Sequence, residues 1–210
     1  MKLQVAIDRV TLDEAVSLAN KLDGIADIIE FGTSLVKDYG FYVIKETQLD
    51  LKNSQLLLDT KTNDEGDYEF KQGFNSGADI LTVMGSAGKA TLDKVYKVAE
   101  QAHKTMLIDL MGLDQNSIKK IANYPNAIYN LHNSHDAGQM TGATAAVAKF
   151  NKSYPEIKRI AIAGGIDLKQ TKELAKQGLT DVVIVGGKII NTDNPVESAE
   201  KFKEIIKSCN

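Results

Sequence analysis

The sequence predicts a single (β/α)8 barrel over residues 1–210, an α/β fold of the TIM type, and three features carry that prediction. Short apolar, β-branched runs recur eight times along the chain, and uninterrupted apolar runs of this length suit strands covered on both faces, as in a parallel sheet. Amphipathic stretches lie between them, with no Pro/Gly/Ser-rich linker or low-complexity tract to break the alternation. The repeating unit is short and uniform, which favours a closed barrel over an open doubly wound sheet. An open sheet would usually place a glycine-rich turn after its first strand; here that turn reads "AIDRVTLDE" and holds no glycine.

Taken in order, the first strand is "LQVAI" from Leu3. The helix after it covers 11–22, where Leu12, Ala15, Val16, Ala19 and Leu22 recur at three- and four-residue steps, and Thr11 with Glu14 fits a capping box. The second strand, "ADIIEF" from Ala26, leads into a segment at 33–45 with weaker periodicity. "SQLLLD" from Ser54 precedes a helix at 64–76, "ADILTVMG" from Ala78 one at 89–103, and "MLIDL" from Met106 one at 114–123. "NAIYNL" from Asn126 precedes 139–151, "RIAIAG" from Arg159 precedes 167–177, and "DVVIVGG" from Asp181 precedes 195–207.

Composition narrows the function. The chain is 43% hydrophobic and 25% charged, with no Trp and 3 Pro, so it can bury a sizeable core. Its formal charge is -3, and Lys and Arg are scattered; without a basic stripe, nucleic acid is not an expected partner. No apolar run reaches membrane-spanning length, and Asp8 interrupts the segment where a signal peptide would be apolar. No membrane partner is expected, and the expected compartment is the cytoplasm. Cys209 is the single cysteine, which excludes an internal disulfide and a cysteine metal cluster.

Barrel chemistry sits where side chains from separate strands meet at the C-terminal rim. The strand ends supply Asp8, Glu30, Asp59 with Lys61, Asp109 and His132. Any one of these alone is more often a helix cap or a solvated group. Five strands ending in ionisable groups at one rim would repel unless a cation or a substrate lies among them. Asp59 and Lys61 are two apart and share a face of an extended strand. Asp64 falls where the next helix should begin, and so reads either as its N-cap or as a third member of the group. Acid, lysine and acid in this order suit an oxyanion intermediate.

The pairs Gly164–Gly165 and Gly186–Gly187 follow the last two strands, leaving backbone N–H groups open to a phosphate. His132 and His135 lie in "LHNSHDAG"; a histidine at a strand end opposite acids is a candidate general base. His103 belongs to the surface of an amphipathic helix. Carboxylates without a cysteine pair favour a hard, oxygen-binding ion, Mg2+ rather than Zn2+.

"LQVAID", "DIIEFGTSL", "LLLDTKTNDEGDYEF", "SGADILTVMG", "IAIAGGI" and "VVIVGGKI", in this order, resemble 3-hexulose-6-phosphate synthase and its relatives 3-keto-L-gulonate-6-phosphate decarboxylase and orotidine monophosphate decarboxylase. The similarity covers essentially the whole chain, and its most specific element is Asp-x-Lys-x-x-Asp, here Asp59, Lys61 and Asp64. The resemblance implies a homodimer with shared active sites, Asp64 reaching into the neighbour's site. It implies Mg2+ held by Glu30 and Asp59 with substrate oxygens, and a sugar phosphate contacted by Asp8, Lys61, Asp64 and His135. His132 would move protons, with Asp109 as the strand-five acid, and Gly164, Gly165, Gly186 and Gly187 would hold the phosphate.

Both branches of the resemblance make a metal-stabilised enediolate, one for attack on formaldehyde and the other by loss of CO2. Asp109, Ala163, "TVMG" and "VGG" resemble the synthases. "HNSHDAG" and "LMG" are similar to the decarboxylases, which would carry arginines near His135 and Lys188. The expected activity is therefore an aldolase joining formaldehyde to D-ribulose 5-phosphate. A keto-gulonate-phosphate decarboxylase and a non-catalytic sugar-phosphate-binding barrel are the alternatives.

Overall fold

Eight parallel strands close on themselves in the computed structural model, which describes residues 1–133 and 142–209. They are β1 (Lys2–Ile7), β2 (Ile28–Phe31), β3 (Gln55–Thr62), β4 (Ile80–Met84), β5 (Thr105–Asp109), β6 (Ile128–His132), β7 (Ile160–Ala163) and β8 (Val182–Val185). Each pairs with the next in sequence, and β8 returns to β1 with Lys2 opposite Val182. The predicted single (β/α)8 barrel is the observed fold.

Seven helices follow the strands at the predicted places: α1 (Leu12–Leu22), α2 (Thr33–Lys45), α3 (Gly66–Asn75), α4 (Lys89–Gln101), α5 (Gln115–Ile121), α6 (Ala143–Ser153) and α7 (Leu168–Gln177). After β8 come a one-turn helix α8 (Gly187–Ile190), which the sequence reading did not anticipate, and α9 (Pro195–Lys207). The capping box of α1 is formed: Thr11 Oγ1 accepts from the Glu14 amide at 3.3 Å, and Glu14 Oε2 accepts from the Thr11 amide at 2.9 Å. The weak periodicity of 33–45 has a structural counterpart, because Gly40 at φ 70 interrupts α2 with a non-helical residue. The helix expected from Asp64 starts at Gly66, and its N-cap is Glu65.

Two apolar layers hold the barrel. Outward strand residues such as Val5, Ile29, Leu58 and Leu81 pack against helix residues such as Ala19, Phe70, Val95 and Phe202. Inward residues Ile28, Leu57, Ile80, Leu107, Ile128, Ala161 and Val182 form a separate plug along the barrel axis. Because alternate residues face the same side of a strand, the next inward position lies two residues on. On β2 to β6 those positions are Glu30, Asp59, Thr82, Asp109 and Asn130, all buried. Apolar side chains thus fill the lower barrel, and polar ones ring its C-terminal end.

Candidate active site

The polar ring opens into a cavity of about 1170 Å3 at the C-terminal mouth, lined among others by Asp8, Glu30, Asp59, Lys61, Asp109 and His132. The strand-end residues singled out in the sequence are therefore brought to one place by barrel closure. The loops after β7 and β8 add Gly164, Gly165, Gly186 and Gly187 to the same wall.

Asp59 is fixed from three directions. Its Oδ2 accepts from Lys61 Nζ at 2.7 Å and from Thr33 Oγ1 at 2.5 Å, and its Oδ1 accepts from Thr82 Oγ1 at 2.7 Å. The strand does not reach Lys61 by simple alternation. The β3–β4 register shifts between Leu58 and Thr62, and Lys61 has φ 45, in the left-handed region costly for a residue with a Cβ. The Lys61 amide donates to Thr82 Oγ1 at 2.9 Å, and Thr60 Oγ1 donates to the Thr82 carbonyl at 2.6 Å. Thr82 therefore clamps both the backbone of the bulge and the acid within it.

Asp109 ties this group to His132. Its Oδ2 lies 2.6 Å from His132 Nδ1 and 3.5 Å from Lys61 Nζ, while its Oδ1 accepts from the Met111 amide at 2.9 Å. Burial pushes the Asp109 carboxyl up, but the His132 ring, Lys61 and the Met111 amide outweigh it and hold it below the usual range. An ionised Asp109 accepts from Nδ1–H, which leaves Nε2 of a neutral ring as the proton-accepting nitrogen. Burial alone would lower the Lys61 ammonium, yet Asp59 and Asp109 raise it above its ordinary value. It carries its charge at neutral pH.

Glu30 behaves in the opposite way. Burial and the neighbouring Asp59 carboxylate push it up to about 8, against the lowering effect of a 2.6 Å hydrogen bond from Gln4 Nε2. Asp8 is held by Ser34, whose amide and hydroxyl both donate to Asp8 Oδ1, at 3.2 and 2.8 Å. Gly32 makes room for it: a Cβ at that position would stand 2.0 Å from Asp8 Oδ2. Gly164 is equally constrained, with φ 121 and a would-be Cβ 2.8 Å from Asn133.

The chemistry of the donor set fits a hard divalent cation. Glu30 and Asp59 are oxygen ligands whose mutual repulsion a cation would relieve. No group of three or more His, Cys, Asp or Glu among the described residues is arranged to hold a metal. The pair would therefore complete its shell with water and ligand oxygens, as Mg2+ commonly does.

Two expected residues do not join the cavity here. Asp64 is exposed, does not line the cavity, and accepts from the Glu65 amide at 2.8 Å; it neither enters its own subunit's mouth nor caps α3. His135 lies outside the described residues. Conversely, the sequence reading passed over Gln4, Thr33, Ser34, Thr82 and Asn130, all of which line the cavity. For Gln4, Thr82 and Asn130 a signal existed: each is a polar residue on the inward phase of an otherwise apolar strand. Arg9 and Lys188 also line the cavity and are its exposed cations. No helix among the described residues is long and apolar enough to cross a membrane.

A family model described as Orotidine 5'-phosphate decarboxylase / HUMPS family matches residues 1–202. The chain is 31% identical over 209 residues to a 3-hexulose-6-phosphate synthase of Staphylococcus aureus, covering 99% of each sequence. Among solved structures, 3-hexulose-6-phosphate synthase from Salmonella typhimurium is similar with a TM-score of 0.90 and 28% identity, over 100% of both chains. KGPDC from Streptococcus mutans, in complex with a sugar phosphate, gives a TM-score of 0.85 at 26% identity over 99% of this chain and 98% of its own.

Proposed function

Since the chain belongs to the orotidine 5'-phosphate decarboxylase / HUMPS family, we propose that it is a lyase of the 3-hexulose-6-phosphate synthase kind, condensing formaldehyde with D-ribulose 5-phosphate. The observation that carries this reading is the chain of contacts His132–Asp109–Lys61–Asp59, which sets a base and an ammonium beside one cavity.

In the reaction assigned to these groups, His132 Nε2 removes the proton from C1 of the pentulose phosphate, and the electron pair passes toward the C2 oxygen, giving an enediolate. The charged Lys61 stabilises that developing negative charge. The C1 carbon then bonds to the formaldehyde carbon, the formaldehyde carbonyl pair moves to its oxygen, and the imidazolium returns the proton there. Asp109 holds the ring in one tautomer throughout and offsets its positive charge.

Glu30 and Asp59 would hold Mg2+, which supplies electrostatic stabilisation to vicinal substrate oxygens. The N–H groups of Gly164, Gly165, Gly186 and Gly187 take the phosphate, Asp8 contacts the sugar hydroxyls, and His135 lies on the loop closing over them. The working unit is a cytoplasmic homodimer in which Asp64 crosses to the other subunit's mouth.

A coupled assay tests the reading: Mg2+-dependent consumption of formaldehyde with D-ribulose 5-phosphate is the expected result, and its absence removes the aldolase. Lys61→Ala should lower turnover by about 10²-fold or more. The second reading is decarboxylation of 3-keto-L-gulonate 6-phosphate, favoured by the "HNSHDAG" segment and by the KGPDC likeness; CO2 release from that substrate distinguishes it. Binding of a sugar phosphate with neither turnover would leave a non-catalytic barrel.

A further inference from the structure

Gln4 Oε1 and Asn130 Oδ1 are buried oxygens that line the cavity and have no hydrogen-bond partner among the described residues. Gln4 is nevertheless tied down, since its Nε2 donates to Glu30. Asn130 has no such side-chain tether among those residues. It is 4% exposed and two residues before His132 on the same face of β6, with Asp109 as its register partner on β5. Asp109 does not need it, because both of its oxygens are already engaged by His132, Lys61 and the Met111 amide.

A buried amide with an unmade bond costs free energy that an apolar side chain of the same volume would not. Every other inward strand residue at this depth on β2 to β5 has a partner or is apolar. The oxygen of an amide only accepts, so the missing partner carries an O–H or N–H. A phosphate oxygen or a carboxylate, with no proton at neutral pH, would be repelled there.

Resting on the reading that the cavity takes a sugar phosphate, we propose that Asn130 is a substrate-binding residue whose Oδ1 accepts a hydrogen bond from a hydroxyl of the sugar. It sits below His132, so it grips the carbon chain at the depth where the reaction occurs. It thereby selects a polyhydroxylated ligand over a bare phosphate, and the anionic end is left to the glycine turns of β7 and β8.

Calorimetric titration of the full chain in Mg2+ tests this with D-ribulose 5-phosphate and inorganic phosphate as probes, for the native protein and for Asn130→Leu. The expected result is about tenfold weaker binding of the sugar phosphate, the size of one neutral hydrogen bond left unmade, with inorganic phosphate unaffected. The unliganded Tm should hold or rise, because an unsatisfied amide has been removed. Unchanged sugar-phosphate affinity would overturn the proposal and leave Asn130 as an amide satisfied by water. Equal loss of both ligands would overturn it too, by showing a general disturbance. If leucine prevents folding, Asn130→Ala is read by the same criteria. A native protein that binds phosphate but not D-ribulose 5-phosphate sinks both this inference and the aldolase, whereas native binding that is insensitive to position 130 sinks the inference alone.

Discussion

Glu30 and Asp59 bring two carboxylates into the barrel from adjacent strands, and the protein answers with Lys61 for one and protonation for the other. Because Glu30 is raised from 4.5 to about 8, the folded chain holds a proton there that the unfolded chain releases. Between those values the native state binds more protons, so stability falls as pH rises and levels off above about pH 8. Thermal denaturation in a chelating buffer should show the native protein losing Tm from pH 5 to 8 relative to Glu30→Gln, in which that component is gone. Parallel profiles would remove the raised carboxyl. Glu30, Asp59, Lys61, Asp109 and His132 were legible in sequence because charge at the end of an apolar run is conspicuous. Gln4 and Thr82 were not, because an uncharged polar residue inside a strand is ordinary until its neighbours across the sheet are known.

At the scale of elements, β3 and β4 meet in an irregular register, and Thr82 is the side chain that stabilises it. Its hydroxyl accepts from the Lys61 amide and donates to Asp59. Thr82→Val keeps the volume but strands both partners, so it should cost about 1–2 kcal/mol in chemical denaturation and also lower turnover by releasing Lys61. Loss of stability without loss of turnover would confine Thr82 to a structural role. Strand and helix positions were readable from hydrophobic period alone. The bulge was not, because a register shift is a relation between two strands and leaves no periodic trace in either. The α8 turn escaped for a related reason: "VGGKII" contains too few residues for a helical period to appear, and the paired glycines read as a loop.

At the scale of the whole molecule, closure of the barrel gathers residues from Asp8 to Lys188 around one mouth but leaves Asp64 on the outside. If Asp64 serves a neighbouring subunit, Lys61→Ala and Asp64→Ala proteins should each be inactive alone yet recover together. Random exchange places one intact site in each mixed dimer, so an equimolar mixture should regain about a quarter of native activity. No recovery after verified subunit exchange would confine each site to one chain. Closure, and with it the gathering of the acids, was legible because the repeating unit admits one common architecture. The arrangement between subunits belongs to surfaces that hydrophobic period does not describe.

The plug of Ile28, Leu57, Ile80, Leu107 and Ile128 beneath the polar ring has an electrical effect as well as a packing one. It places a poorly polarisable floor under the ionised groups, so their field is directed out of the mouth toward solvent. Glu30, Asp59 and Asp109 load the β2–β5 side with acid, while Arg9 and Lys188 stand on the β8–β1 side. An approaching molecule with one anionic end meets a gradient across the opening, and is turned tail toward the cations before its first contact.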